Sequence, residues 1–128
     1  MKILIDTCSF LWFIEDNPKL SSVAKNLIED ENNEIFLSIV SVWEIAIKAS
    51  IGKLSIIKPV DKFIKTQLKA NDIKLLNITF QDVCFVYSLP FHHKDPFDRL
   101  IISQAITRKL PVISYDSVFD SYSVNKLW

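Results

Sequence analysis

Four acidic side chains stand where a solvated surface residue is not expected. Asp6 ends the apolar run Lys2-Ile3-Leu4-Ile5, and Glu44 is embedded in Ser38-Ile39-Val40-Ser41-Val42-Trp43-Glu44-Ile45-Ala46-Ile47. Asp98 opens Asp98-Arg99-Leu100-Ile101-Ile102, and Asp116 ends Pro111-Val112-Ile113-Ser114-Tyr115. A carboxylate beside an apolar core costs free energy unless something positive meets it. If the fold gathers all four, a divalent cation answers their charge most simply, and metal-assisted phosphodiester cleavage becomes the candidate chemistry.

Gathering them depends on the elements that carry them, and the periodicity alternates between short β-like runs and helix-like stretches. Residues 2–5, 35–37, 73–78, 111–115 and 124–127 read as strands. Helices are expected over 9–15, 21–31, a segment around Glu44 ending near Gly52, 60–70, 79–88 and 95–109, with a helical turn at 117–121. Ser21 or Ser22 caps the second helix, Pro59 precedes the fourth, and Asp95-Pro96 opens the last long one. Residues 89–94 form a loop. Strands alternating with helices imply βαβ units and a mostly parallel sheet covered on both faces, an α/β fold.

In such sheets ligands bind outside the carboxyl ends of the strands, where strand order reverses. Asp6 and Asp116 each occupy that end of an apolar strand. If the strands are neighbours, the two carboxylates lie roughly 5 Å apart. Like charges that close raise each other's pKa or recruit a cation. Either residue could equally cap the helix that begins beside it. Glu44 shares a narrow polar stripe with Ser41 and Lys48 on an otherwise apolar helix. That stripe either faces solvent with a Glu44–Lys48 pair, or faces the cleft with Glu44 as a ligand. Asp98 stands at the third helical position after the Asp95 cap, where the macrodipole alone favours an acid.

Composition bounds the rest. The 128 residues suit one domain, with 49% hydrophobic and 23% charged residues, so a core can form. No apolar run is long enough to span a bilayer, and Asp6 interrupts any signal-peptide core, so a cytoplasmic location is expected. A single glycine excludes the glycine-rich loops of P-loop NTPases and dinucleotide-binding folds. The formal net charge is zero, which argues against a protein that simply coats nucleic acid. Six lysines nevertheless fall between residues 48 and 69, against Asp61 alone. Four of them, Lys58, Lys62, Lys65 and Lys69, follow one helical stripe that is either a solvated face or a rail for phosphates or an acidic partner. Cys8 and Cys84 lack ligand spacing and read as reduced, buried thiols. With no further histidine, His92 and His93 read as loop residues beside the Asp95 cap, not as zinc ligands. Trp12, Phe13 and Trp43 are expected in the core or at a dimer contact.

Taken in order, the segments resemble a PIN-domain ribonuclease of the VapC toxin type. The resemblance is carried by Ile5-Asp6-Thr7 with Leu11-Trp12, and by Ser41-Val42-Trp43-Glu44-Ile45-Ala46-Ile47-Lys48 running into Gly52-Lys53-Leu54. It continues through Leu89-Pro90-Phe91-His92-His93-Lys94-Asp95-Pro96-Phe97-Asp98-Arg99-Leu100 to Ser114-Tyr115-Asp116. It implies a single PIN-like domain over residues 1–128, with a five-stranded, mostly parallel sheet flanked by helices. It also implies Asp6, Glu44, Asp98 and Asp116 as catalytic residues binding Mg²⁺ or Mn²⁺ and cleaving RNA. Thr7 and Ser114 would orient those acids by hydrogen bonds, and Lys48 and Arg99 would contact phosphate. Proteins of this type are held inactive by an antitoxin laid in an apolar groove, and a homodimer is expected. Cys8 departs from the histidine that relatives often carry beside the Asp-Thr pair. Two other readings compete: a phosphoacceptor receiver domain, whose acidic pair and late lysine are missing here, and a catalytically inactive PIN-like module that binds RNA or a partner.

Overall fold

The computed structural model describes residues 1–57 and 59–128; Lys58, one member of the lysine stripe, lies outside the described residues. The chain begins with β1 (Lys2–Ile5), α1 (Thr7–Ile14), α2 (Ser22–Glu29), β2 (Glu34–Ser38) and α3 (Ile39–Ser50). It continues with α4 (Val60–Ala70), β3 (Ile73–Leu76), α5 (Phe80–Phe85) and a 3₁₀ turn over Val86–Ser88. Then follow α6 (Pro96–Arg108), β4 (Val112–Ile113), a second 3₁₀ turn over Ser117–Ser121, and β5 (Lys126–Leu127).

The five strands form one sheet in the order β3-β2-β1-β4-β5, with every pairing parallel. The sheet is thus wholly parallel, where the alternation of elements predicted a mostly parallel one. Ile3, Leu4 and Ile5 are fully buried, because β1 is the central strand and has helices on both faces. Ile3 and Ile5 join a core that contains Phe10, Ala24, Ile28, Ile64 and Leu68, under α1, α2 and α4. Leu4, one residue out of phase, joins Leu76, Ile101, Ile102, Ala105 and Phe119 on the opposite face. Each fully buried Ile or Leu contributes about 1.5–3 kcal/mol, so the two cores lock the strand order.

Helix boundaries follow the expected chemistry. Asp6, Ser21, Ser38, Thr79 and Asp95 each cap a helix through the side chain. Gly52, the chain's one glycine, follows α3 at φ +77, a conformation costly for other residues. The strands at 112–113 and 126–127 are shorter than predicted, because each needs only two residues of register with its neighbour. No helix among the described residues is long and apolar enough to cross a membrane.

One expectation fails on exposure. Cys8 and Cys84 are free but exposed: Cys8 opens onto a cleft and Cys84 lies on the outer side of α5. Of the three aromatic residues expected in the core or at a dimer contact, Trp12 and Phe13 lean against the first core, whereas Trp43 is 55% exposed and packs edge-on against Phe97, which leaves the second alternative for it.

Beneath α5 lies a complete polar network. The buried Asp82 closes a capping box with Thr79, accepts from Thr107 at 3.0 Å and pairs with Arg108 at 2.7 Å. Burial alone would raise its pKa, but Arg108, the Thr79 N–H and Thr107 outweigh that and hold it at about 2. The folded value lies below the ordinary value of about 3.9, so this stabilisation is complete above about pH 4 and is lost toward about pH 2. Asp82→Asn should therefore lower stability near neutral pH by about 2–3 kcal/mol in urea denaturation. The gap from the parent protein should close as the pH falls from about 4 to 2; a gap that persists in acid would refute the electrostatic account.

Candidate metal centre

β1 is where the sheet reverses direction: β2 and β3 build outward on one side of it, β4 and β5 on the other. Its carboxyl end pairs with that of β4 through Ile5 and Ile113. The crevice of a doubly wound sheet opens at such a point. Asp6 leaves β1 there and turns the chain into α1, its Oδ1 accepting from the Ser9 N–H at 2.8 Å. Asp116 leaves β4 two residues after Ser114 and caps the 3₁₀ turn, its Oδ1 accepting from the Val118 N–H at 2.9 Å. Asp98 enters from the first turn of α6, and Glu44 from the middle of α3. All four line one cleft of about 550 Å³, together with Asp95 and Lys48.

The alternatives left open by the residues are therefore not exclusive. Asp6 and Asp116 cap helical turns with one oxygen while their carboxylates line the cleft. Glu44 pairs with Lys48 through Oε2 on the same stripe that faces the cleft. Its other oxygen, Oε1, is buried and has no hydrogen-bond partner among the described residues. An orphaned carboxylate oxygen is expensive and needs an explanation. A ring of hard oxygen donors, one of whose carboxylates keeps an unpaired oxygen, suits a hard divalent cation.

The electrostatics point the same way. Burial raises the pKa of Asp6, opposed by hydrogen bonds from Ser9 and Ser114 and reinforced by the charge of Asp116. Asp98 is pushed up to about 8, first by burial and then by the charges of Asp95, Asp6, Glu44 and Asp116. Lys48 is raised by its hydrogen bond to Glu44. Cys8, at the rim, is raised to about 11 by burial and by Asp6, so it is a neutral thiol rather than a nucleophile.

The supporting residues divide. Ser114 holds the Asp116 N–H on its Oγ and hydrogen-bonds Asp6, so it orients both acids. Thr7 does not: its hydroxyl donates to Ser41 Oγ at 2.8 Å and ties α1 to α3. Lys48 lies in the cleft as expected. Arg99 is a correction. It is 8% exposed, and its guanidinium donates to the carbonyls of Pro90 and Val86 while stacking on Phe91. It staples the loop before α6, and it does not line the cleft. Lys62, Lys65 and Lys69 lie on the exposed face of α4 and do not line the cleft.

His93 was missed by the sequence reading. Its Nε2 lies 2.7 Å from Asp116 Oδ2 and 3.1 Å from Asp98 Oδ2, inside the acid cluster. The ligand-type atoms of His93, Asp98 and Asp116 all lie within 4.8 Å of one another. The one available signal was its place two residues before the Asp95 cap, which hands its ring back across the helix start.

A family model for the PIN domain matches residues 3–125. Among solved structures, the chain is similar to the crystal structure of VapBC2 from Rickettsia felis bound to a DNA fragment from their promoter. That match has a TM-score of 0.71 at 16% identity and covers 100% of both chains. It is also similar to VapBC-5 from Mycobacterium tuberculosis, with a TM-score of 0.60 at 17% identity over 98% of this chain and 96% of that one. A toxin-antitoxin complex from Klebsiella pneumoniae matches with a TM-score of 0.52 at 15% identity, over 90% and 87%. At these identities the structures share the fold. No curated protein sequence matches the chain.

The displaced pKa of Asp98 has a consequence for stability. The folded protein keeps a proton there up to about pH 8, whereas the unfolded chain releases it near 3.9. Stability should thus fall as pH rises between those values. In EDTA-treated protein at about pH 8, Asp98→Asn should melt above the parent, and the difference should shrink toward about pH 4. An equal or lower midpoint at the alkaline end would show that the acids do not crowd Asp98.

Proposed function

Because the chain belongs to the PIN domain family, we propose that it is a metal-dependent endoribonuclease that acts as the toxin of a toxin–antitoxin pair. The observation that carries this reading is the convergence of Asp6, Glu44, Asp98 and Asp116 from four separate elements, with Glu44 Oε1 buried and unpartnered. Asp6, Glu44, Asp98 and Asp116 are the residues that would hold Mg²⁺ or Mn²⁺. When bound, the ion supplies charge neutralisation at the phosphate and an acidified water for in-line attack.

The chain's own residues account for the remaining requirements. Asp6 and Asp116 are held by backbone N–H groups, so their carboxylates cannot swing away when the charge at the cleft changes. Ser114 locks the turn that presents Asp116. Among the described residues, Lys48 is the lysine that lines the cleft, and beside Glu44 its ammonium would be within reach of a phosphate oxygen.

The partner reading rests on the same family. The three solved relatives come from toxin–antitoxin assemblies. An apolar groove of about 310 Å³ beside α4, lined by Ile56, Ile57 and Phe63, offers an antitoxin segment a place to lie. A homodimer is supported by Phe80, Val83 and Tyr87, which expose one apolar stripe along α5 and the turn after it. We place the protein in the cytoplasm, where RNA and such a partner meet.

The decisive measurement is cleavage of a single-stranded RNA by purified protein with Mn²⁺, with EDTA, and with Asp98→Asn. Chelation should abolish cleavage, and the variant should lower it on the order of 10²–10³-fold while remaining folded. Cleavage that survives either treatment removes the assignment. Binding without cleavage in the parent protein favours the inactive RNA- or partner-binding module.

A further inference from the structure

The ring of His93 is fixed from every side. The backbone N–H groups of His92 and His93 both donate to the Tyr122 hydroxyl, at 3.0 and 2.9 Å, and that hydroxyl donates to the Pro90 carbonyl. Arg99 reaches the carbonyls of Pro90 and His93, which closes the loop onto α6. The ring itself packs edge-on against Phe119, with centroids 6.1 Å apart. Its Nδ1 accepts the Asp95 N–H at 3.1 Å.

That last contact decides where the imidazole proton is. A neutral imidazole has one N–H, and a nitrogen that accepts a hydrogen bond cannot carry it. The proton therefore sits on Nε2, aimed at Asp116 Oδ2 at 2.7 Å with Asp98 Oδ2 at 3.1 Å. Distances alone would make His93, Asp98 and Asp116 a mixed nitrogen–oxygen ligand set. Coordination through Nε2 requires a lone pair there, and hence the proton on Nδ1. Two N–H donors would then face each other across the 3.1 Å now spanned by the Asp95 hydrogen bond. Asp95 is the N-cap of α6, its carboxylate accepting from the Phe97 and Asp98 N–H groups, so the residue that carries this N–H is itself tied to the helix start.

We propose that His93 is a positioning residue for the metal centre and not a ligand: the Asp95 amide locks its tautomer, and its Nε2–H orients the Asp98 and Asp116 carboxylates. The assignment rests on the metal-dependent reading above, and it goes beyond that reading by giving a role to a residue outside the four acids. It inverts the usual arrangement in which a carboxylate orients a ligating histidine. Here the histidine orients the carboxyl groups that would hold the ion, by placing one donor between Asp98 Oδ2 and Asp116 Oδ2.

The test begins with ¹⁵N-histidine NMR on chelator-treated protein, which should show His93 as the Nε2–H tautomer; the Nδ1–H form overturns the proposal. Mn²⁺ titration then compares the parent protein, Asp98→Asn, His93→Ala and His93→Gln. Loss of affinity in His93→Ala should be about 10–100-fold. His93→Gln, whose side-chain N–H₂ can replace the Nε2 donor, should recover most of it. Electron spin-echo modulation of the Mn²⁺-loaded parent should show no directly bound ¹⁴N, and this measurement needs no variant. A bound-nitrogen signal that vanishes in His93→Ala makes His93 a ligand and ends the proposal. Parental affinity in His93→Ala, or no recovery in His93→Gln, ends it equally. If the parent binds no Mn²⁺, or Asp98→Asn binds it as well as the parent does, the metal reading itself fails and takes this inference with it. Failure confined to the His93 variants leaves the metal reading standing.

Discussion

Carboxylates crowded at the end of a parallel sheet repel one another, and the way this fold contains that repulsion organises much of the molecule. The positive ends of three helical segments are turned on the cleft. α1 starts behind Asp6, α6 behind Asp95, and the 3₁₀ turn behind Asp116. Each first turn offers N–H groups that would otherwise be unpaired, and each acid accepts from at least one of them. This compensation is incomplete. Asp98 still stands at about 8, and one oxygen of Glu44 has no partner. The residual negative field comes from the carboxylates that the backbone leaves uncompensated, and it favours a cation.

Two buried polar systems show how differently the same fold can treat an acid. Asp82 is enclosed with an arginine, a threonine and a capping box, and its pKa falls to about 2. Asp98 is enclosed mainly with other acids, and its pKa rises. Both come from helix starts in neighbouring elements, and α6 supplies partners to both. One satisfied network holds α5 to α6, and one unsatisfied cluster awaits a charge. Local rules broken without internal compensation mark a functional site more reliably than burial does.

Much of this was legible in the chain, and where it was not the reasons are specific. Alternation of apolar runs with amphipathic stretches is enough to order the elements, because each strand in a parallel sheet must be covered twice. The four acids could be picked out because each ends, opens or sits within a run of apolar residues. Treating cap and cleft as rivals for Asp6 was the wrong contrast, since a carboxylate has two oxygens and uses one for each. Arg99 deceived because being one residue from Asp98 on a helix rotates a side chain by about 100°, away from the cleft and onto the preceding loop. For Trp43 an almost wholly apolar helix could not separate core from contact surface, and α3 leaves that flank open. His93 was invisible for a different reason: its partner Asp116 lies 23 residues away and meets it only through strand order. Ligand spacing along a chain finds sites made by one segment, and this site is made by four.

The charge at the mouth also dictates an order of events on the proposed reading. Five carboxylates and one ammonium line the cleft, so its sum is strongly negative even with Asp98 protonated. A polyanionic strand approaching that mouth meets net repulsion, and Lys48 cannot offset it because Glu44 already holds its charge. On the proposed reading, Asp6, Glu44, Asp98 and Asp116 would hold a cation whose charge would offset that repulsion. Lys48, paired with Glu44 in the cleft, would then be the residue placed to meet a phosphate, so the Glu44–Lys48 pair would keep the cleft closed to phosphate until the negative charge is answered.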